Sequence, residues 1–370
     1  MTDRAVSTGS NSIVSQPAPL GAGSRSARLA LIALILGAIV AAFAFAGGLL
    51  RAEAVTPSKM IDAFERANGE HAGFRRNHAK GVGISGYFEG NGKGTALSKA
   101  SVFRVGRYPV IGRFAIAGGK PFAADAPSSV RSMALLIKLP SGEEWRTGMN
   151  DIPVFGVSTP QAFYEQLLAN TPDPKTGKPV PANLAAFFSK FPNAAKAGQL
   201  IRSQPKAPSF DTDTFNSLSS FRFTNEAGAV QAVRWSMVPS KPPSSATSAS
   251  PAGPNYLFDA LIGALHQQPV EWHLSIVLAQ PGDPLDDATI PWPADRPRVD
   301  VGTLTIDHIE SEDTSPARDI NFDPLVLPVG IGPSDDPLLS ARSAAYAQSF
   351  TRREGEHKTP SAVSTASGAQ

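Results

Sequence analysis

Two short stretches hold residue types that could do chemistry. In Arg75-Arg76-Asn77-His78-Ala79-Lys80-Gly81 one imidazole stands among cations. A positive surround disfavours protonation, which keeps a histidine available as a base near neutral pH. A solvated basic turn would show the same pattern. Near the other end, Arg342-Ser343-Ala344-Ala345-Tyr346 puts an arginine and a tyrosine four residues apart. On a helix they share a face, and the guanidinium can reach the phenol oxygen. A cation there favours phenolate, a hard anionic donor suited to ferric iron. An ordinary Tyr–Arg surface contact has the same spacing. The other histidines (His71, His266, His273, His308 and His357) form no HExxH-type metal pair.

Composition limits what these residues can serve. With 370 residues, 42% of them hydrophobic, the chain can build one large domain or two small ones. Its 34 basic and 32 acidic residues leave a formal charge of +2 and no basic stripe, which sets nucleic acid aside. The absence of cysteine removes disulfides, thiolate metal sites and cysteine nucleophiles, and suits an oxidising compartment.

The uncharged apolar run Leu29–Leu50 matches the ~20 residues a helix needs to cross a bilayer. Arg4, Arg25 and Arg28 ahead of it favour a cytoplasmic N-terminus, with the large C-terminal part periplasmic or otherwise extracytoplasmic. The competing reading is a signal peptide, cleaved at Ala42-Phe43-Ala44 or Ala44-Phe45-Ala46, that releases this part to the periplasm. The expected division is a disordered cytoplasmic terminus (1–28), a transmembrane helix (29–50), a folded domain (54–353) and a disordered tail (354–370).

Within the folded domain, Thr56-Pro57-Ser58 opens a helix that Gly69 stops. Short runs then read as strands: 78–88, 101–105, 112–117, 130–138 and 154–157, separated by turns such as Gly118-Gly119-Lys120-Pro121. Residues 159–201 are helical in pattern, and strands return at 221–224 and 232–238. The Pro/Ser/Ala stretch 241–254 reads as a flexible linker inside the domain. A helix (255–266) and strands (272–278 and 299–306) follow, then a helix from about Asp335 that carries Arg342 and Tyr346. The fold class is α+β, with an antiparallel barrel or sandwich rather than βαβ units.

Eight motifs in one order resemble the haem catalase superfamily, most closely its short catalase-related peroxidases. They are RRNHAKGVGISGYFE (75–89), GRFAIAGG (112–119), VRSMALLIKLPSGEEW (130–145), MNDIPVF (149–155), NYLFDALIGAL (255–265), VEWHLSIVLAQPGDPLDDATIPWP (270–293), GTLTI (302–306) and FDPLVLPVGIGPSDDPLLSARSAAY (322–346). The resemblance covers roughly residues 57–353.

The resemblance implies an antiparallel β-barrel with helices around it, haem b as cofactor, and a peroxidase acting on organic peroxides and hydrogen peroxide. It makes His78 the distal histidine and Asn150 its partner, Tyr346 the axial ligand of the iron, and Arg342 the arginine that holds it as phenolate. Arg75, Arg113 and Arg353 match the clamps on the haem propionates, and Phe163 the aromatic over the ring. Two departures bear on activity. Ala115 stands where large catalases have a serine that contacts the distal histidine, and Asn77 where they have an apolar valine. The first removes an orienting hydrogen bond and the second makes the distal wall more polar, so weak catalase activity is expected. The alternatives are rearrangement of fatty-acid hydroperoxides and a non-catalytic haem-binding barrel. The expected partners are a peroxide, an organic electron donor and the membrane, with a monomer or dimer as the assembly.

Overall fold

Strand after strand in this chain carries large apolar side chains at alternate positions, so one face of each must be buried. The computed structural model describes residues 22–46, 55–241 and 253–365, in two units, Met1–Ala54 and Val55–Gln370. In the first unit α1 (Ala22–Ala46) contains a stretch, Ser26–Phe45, long and apolar enough to cross a membrane. Residues 22–28, expected to be disordered, begin this helix. The rest of that terminus, residues 47–54 and most of the linker lie outside the described residues.

In the second unit the strands are β1 (Gly81–Gly90), β2 (Gly106–Ile116), β3 (Arg131–Lys138), β4 (Glu144–Asn150), β5 (Phe215–Asn216), β6 (Phe221–Thr224), β7 (Val230–Pro239), β8 (Val270–Leu278), β9 (Arg298–Glu310) and β10 (Ile331–Pro333). Eight of them close a barrel in the order β7-β5-β4-β3-β2-β1-β9-β8, with β8 pairing back to β7 and every pairing antiparallel. Strands β6 and β10 extend the sheet beyond β7. The helices are α2 (Pro57–Asn68), α3 (Pro160–Ala169), α4 (Pro181–Lys190), α5 (Pro192–Ser203), α6 (Tyr256–Gln267) and α7 (Pro337–Glu354).

Side chains fill the lumen. Trp145, Trp235 and Trp272 are fully buried there with Phe88, Phe103, Phe114, Phe215 and Phe223. Trp145 meets Trp235 edge-on at 5.2 Å between ring centres. An eight-stranded barrel has room for such a core or for one small ligand, and here the rings take the room. A large flat ligand has to bind outside, against the barrel wall.

The antiparallel barrel with helices around it is as expected, with local differences. Residues 101–105 form a 3₁₀ turn at Ser101–Phe103 before β2 begins. Residues 154–157 are irregular: Phe155 N–H donates to the Ala288 carbonyl rather than to a sheet neighbour, and Val154 and Val157 are buried without joining the sheet. The strand comes earlier, as β4, where Trp145, Thr147 and Met149 face inward.

The tail from residue 354, read as disordered, is packed as far as Thr365. Val363 is 1% exposed within the main core. Arg318 donates to the Thr359 carbonyl at 2.6 Å, and Asn255 to the Ala362 carbonyl at 3.1 Å. Gly73, at φ +77°, lies so close that a Cβ would stand 2.6 Å from the His357 carbonyl oxygen. The tail therefore props the turn that leads to His78. Its polar composition conceals this because backbone groups make most of the contacts. A chain ending at Glu356 should lose roughly 3–5 kcal/mol, from one buried valine and two hydrogen bonds. Urea denaturation of the two chains checks this, and equal midpoints would return the tail to a disordered role.

Candidate active site

Alternation along β2, β3 and β4 puts every second residue on the outer wall. Register then aligns them in two rows across the strands. Arg113, Ala134 and Gly148 form one row, and Ala115, Ser132 and Asn150 the other. The small residues leave a shallow floor, and the polar ones stand at its edges. These six line a cleft of about 1170 Å³, open mouth included. Across it lies α7, started by Asp336, whose carboxylate accepts from Leu338 N–H at 2.9 Å with Pro337 following. Leu338, Arg342, Ala345, Tyr346, Ser349 and Arg353 line the cleft at the three- and four-residue spacing of one helix face. Helix α2 adds Met60, Ile61 and Phe64, and Phe163 on α3 touches Phe64 and Phe155 at 5.6 and 5.7 Å between ring centres.

His78 enters just before β1 in the left-handed conformation, φ +55°, which costs a non-glycine residue of order 1–3 kcal/mol. Asn77 offsets this locally. Its Oδ1 accepts from the His78 and Gly118 backbone N–H groups at 3.0 and 2.8 Å. The Asn77 oxygen thus braces the turn, a role beyond the polarity Asn77 adds to the cleft wall. Gly81 matters for closeness: a Cβ there would stand 2.3 Å from the Arg113 guanidinium.

The imidazole stays neutral, its pKa lowered to about 3 by burial and then by Arg113, Arg342 and Arg75. Two of the cations beside it in sequence are occupied elsewhere. Arg76 pairs with Glu65 and Glu356, and Lys80 is buried against Asp125 at 2.6 Å. The cations that matter come mostly from distant segments.

Ser132 is the candidate site residue that sequence reasoning missed. Its Oγ lies 2.9 Å from His78 Nδ1 and donates to Asn150 Oδ1. A hydroxyl has one proton. If it goes to Asn150, Ser132 must accept from His78 Nδ1–H, which leaves the Nε2 lone pair free. The Asn150 oxygen is then taken, and its amide nitrogen is the end available to the cleft. Ala115 lies directly opposite Ser132 in the β2–β3 ladder. The hydrogen bond that Ala115 was expected to remove is therefore supplied from the next strand. A single hydroxyl between the arginine and the apolar run of VRSMALLIK was the available signal.

Arg342 donates to the Gly148 carbonyl at 3.4 Å, and its guanidinium carbon is 5.9 Å from the Tyr346 ring centre. Among the described residues no hydrogen bond joins it to the phenol oxygen. At one end of the cleft Arg75 donates to the carbonyls of Ala317, Arg318 and Ile320, and Arg113 to that of His78. Arg353 donates to the Arg318 carbonyl, while its buried Nε has no partner. All eight residues singled out from the sequence (Arg75, His78, Arg113, Asn150, Phe163, Arg342, Tyr346 and Arg353) line this one cleft. A floor of small residues, three arginines, one of them with an orphaned donor, and a tyrosine and a histidine lining the same cleft fit a flat iron-bearing ligand with two carboxylates.

Comparison with known proteins bears on the family and the fold. The family model described as Catalase matches residues 53–363. The chain is 38% identical over 325 residues to a catalase-related peroxidase of Synechococcus elongatus, covering 87% of this chain and 96% of that protein. It is 31% identical over 304 residues to the catalase-related peroxidase of Mycolicibacterium paratuberculosis, covering 81% and 96%. Among solved structures, catalase A from Saccharomyces cerevisiae superposes with a TM-score of 0.68 at 20% identity, over 77% of this chain and 62% of that one.

Two outcomes test the distal arrangement in the protein without ligand. Unfolded histidine takes its proton near pH 6.5, whereas folded His78 resists to about pH 3. Between those values the unfolded chain binds more protons, so the His78 contribution lowers stability as pH falls through that window. Replacing His78 with leucine should flatten this slope in denaturation curves. In ¹⁵N spectra His78 should show one neutral tautomer, protonated on Nδ1. Ser132→Ala should populate both, and an unchanged spectrum would remove Ser132 from the arrangement.

Proposed function

The chain belongs to the catalase family and is an oxidoreductase acting on peroxide, and on that footing we propose that it is a haem b peroxidase for organic hydroperoxides and hydrogen peroxide. What carries this reading is the meeting, in one cleft, of a neutral histidine linked to an asparagine with a tyrosine helix and an arginine triad. In this proposal Tyr346 would hold the iron through its phenol oxygen, with Arg342 the cation beside it. Arg75, Arg113 and Arg353 would hold the propionates, and Phe163 would supply an aromatic contact to the haem. When bound, the haem supplies the redox chemistry of O–O cleavage.

The protein supplies the proton management. His78 Nε2, with its lone pair free, takes the proton of the peroxide hydroxyl, and the held proton then goes to the departing oxygen, which leaves as water or an alcohol. The Nδ1 proton stays on the imidazole, donated to Ser132 Oγ, so Nε2 alone does both transfers. The Asn150 amide donates to the peroxide and fixes its orientation. Because His78 is neutral well below pH 6.5, the base form is present across the physiological range.

The apolar cleft residues Met60, Ile61, Phe64, Phe155 and Phe322 favour alkyl hydroperoxides. Weak dismutation of hydrogen peroxide stays in the proposal through the similarity to catalase-related peroxidases; with Ser132 on His78, the Ala115 argument no longer supports it. We further propose that α1 anchors the chain with this unit on the extracytoplasmic side.

The test is an absorption spectrum of the full chain in detergent after haem-replete expression, followed by cumene hydroperoxide with and without an organic donor. A ferric Soret band that shifts with peroxide and returns faster with donor is the expected result. His78→Ala should slow the reaction with peroxide by ~10²–10⁴-fold, and Tyr346→Phe should change the ferric spectrum or empty the site. Absence of a haem band in the wild type would overturn the reading. An epoxide product with no oxidised donor would turn it into hydroperoxide rearrangement.

A further inference from the structure

Beside the arginines of the cleft stands a carboxylate that the chemistry above does not use. Glu312 follows β9, its side chain is 7% exposed, and it is not among the cleft-lining residues. It borders instead a separate small hollow, together with Arg75, Arg318 and Arg353. Arg113 grips it with two bonds, Nε to Oε1 at 2.8 Å and Nη2 to Oε2 at 3.1 Å. Arg75 donates to the same Oε1 at 3.1 Å.

Burial alone would favour the neutral acid, but Arg113 and Arg75 outweigh it and hold the Glu312 carboxyl below its usual range. The group is thus an ionised carboxylate that bonds the clamp without occupying the cleft. The charges nearby cancel in pairs, Arg318 with Asp313 at 2.7 Å and Asp319 with Lys358 at 2.5 Å. What remains is Arg75, Arg113 and Arg353 against Glu312, a net charge of two positive. Building on the haem reading, we propose that Glu312 is the permanent counter-ion of the clamp. It holds Arg75 and Arg113 in place before any ligand arrives, and it trims three cations to the double positive charge that complements a dicarboxylate edge.

Buried like charges without a counter-ion repel, and removing one partner of a buried pair is strongly destabilising. Glu312→Gln keeps the shape and removes the charge. In the full chain without haem its melting temperature should fall by roughly 5 °C or more. Sodium formate, a monovalent carboxylate, should restore part of that loss at constant ionic strength and leave the wild type unchanged. Arg353→Gln should cost less in the Glu312→Gln background than alone, because it then removes an uncompensated repulsion.

Strict additivity of the two losses, or a variant indifferent to formate, would overturn the proposal. If Glu312→Gln alone does not fold, recovery of folded protein in the double variant is the supporting result, and its absence counts against. Haemin titration is a separate arm. Failure of wild type and variant alike to bind haemin would end the haem reading, while the formate and double-variant results still decide what Glu312 does.

Discussion

A barrel packed solid with indole and phenyl rings is the constraint on which the rest of this structure depends. Because Trp145, Trp235 and Trp272 and their phenylalanine neighbours fill the lumen, no large ligand can enter it. The wall becomes the working surface. A pleated wall offers side chains in rows, and here the outward positions of β2, β3 and β4 are small in the middle and polar at the edges. Helix α7 supplies the opposite side of the cleft with one continuous stripe of its residues. Both sides are rigid secondary structure, so their side chains are held before a ligand arrives.

Electrostatics on this wall work by separation of roles. The positive field of Arg113, Arg342 and Arg75, added to burial, keeps His78 an uncharged base. The same Arg75 and Arg113 are themselves tied by Glu312 and by backbone carbonyls. Arg113 is the joint between the two functions, bonded to Glu312 on one side and to the His78 carbonyl on the other. A ligand carboxylate that engaged Arg113 would thus also bear on the backbone that positions the base.

Much of this was legible in the chain. The closely spaced strands identified an antiparallel barrel or sandwich, since alternation and turn residues are local properties, and the resemblance implied the barrel. The motif order brought eight residues to one site, and the structure gathers all eight in one cleft. What was not legible depended on partners distant in sequence. Lys80 and Arg76 look like the cations that govern His78, yet their charges are taken up by Asp125, Glu65 and Glu356. Ala115 looked like a lost hydrogen bond until the ladder placed Ser132 opposite it.

By itself the sequence determined most of the elements, the apolar helix near the N-terminus, and the residue types able to serve a flat iron-bearing ligand. Periodicity, capping and composition act over a few residues and can be read there. Only the tertiary structure decided which hydroxyl orients His78, which carboxylate balances the arginines, and that the polar tail packs on the turn before the histidine. Strand register and helix docking set these relations between residues tens to hundreds of positions apart. A hydrogen bond or an ion pair depends on where atoms meet, and no local pattern records that.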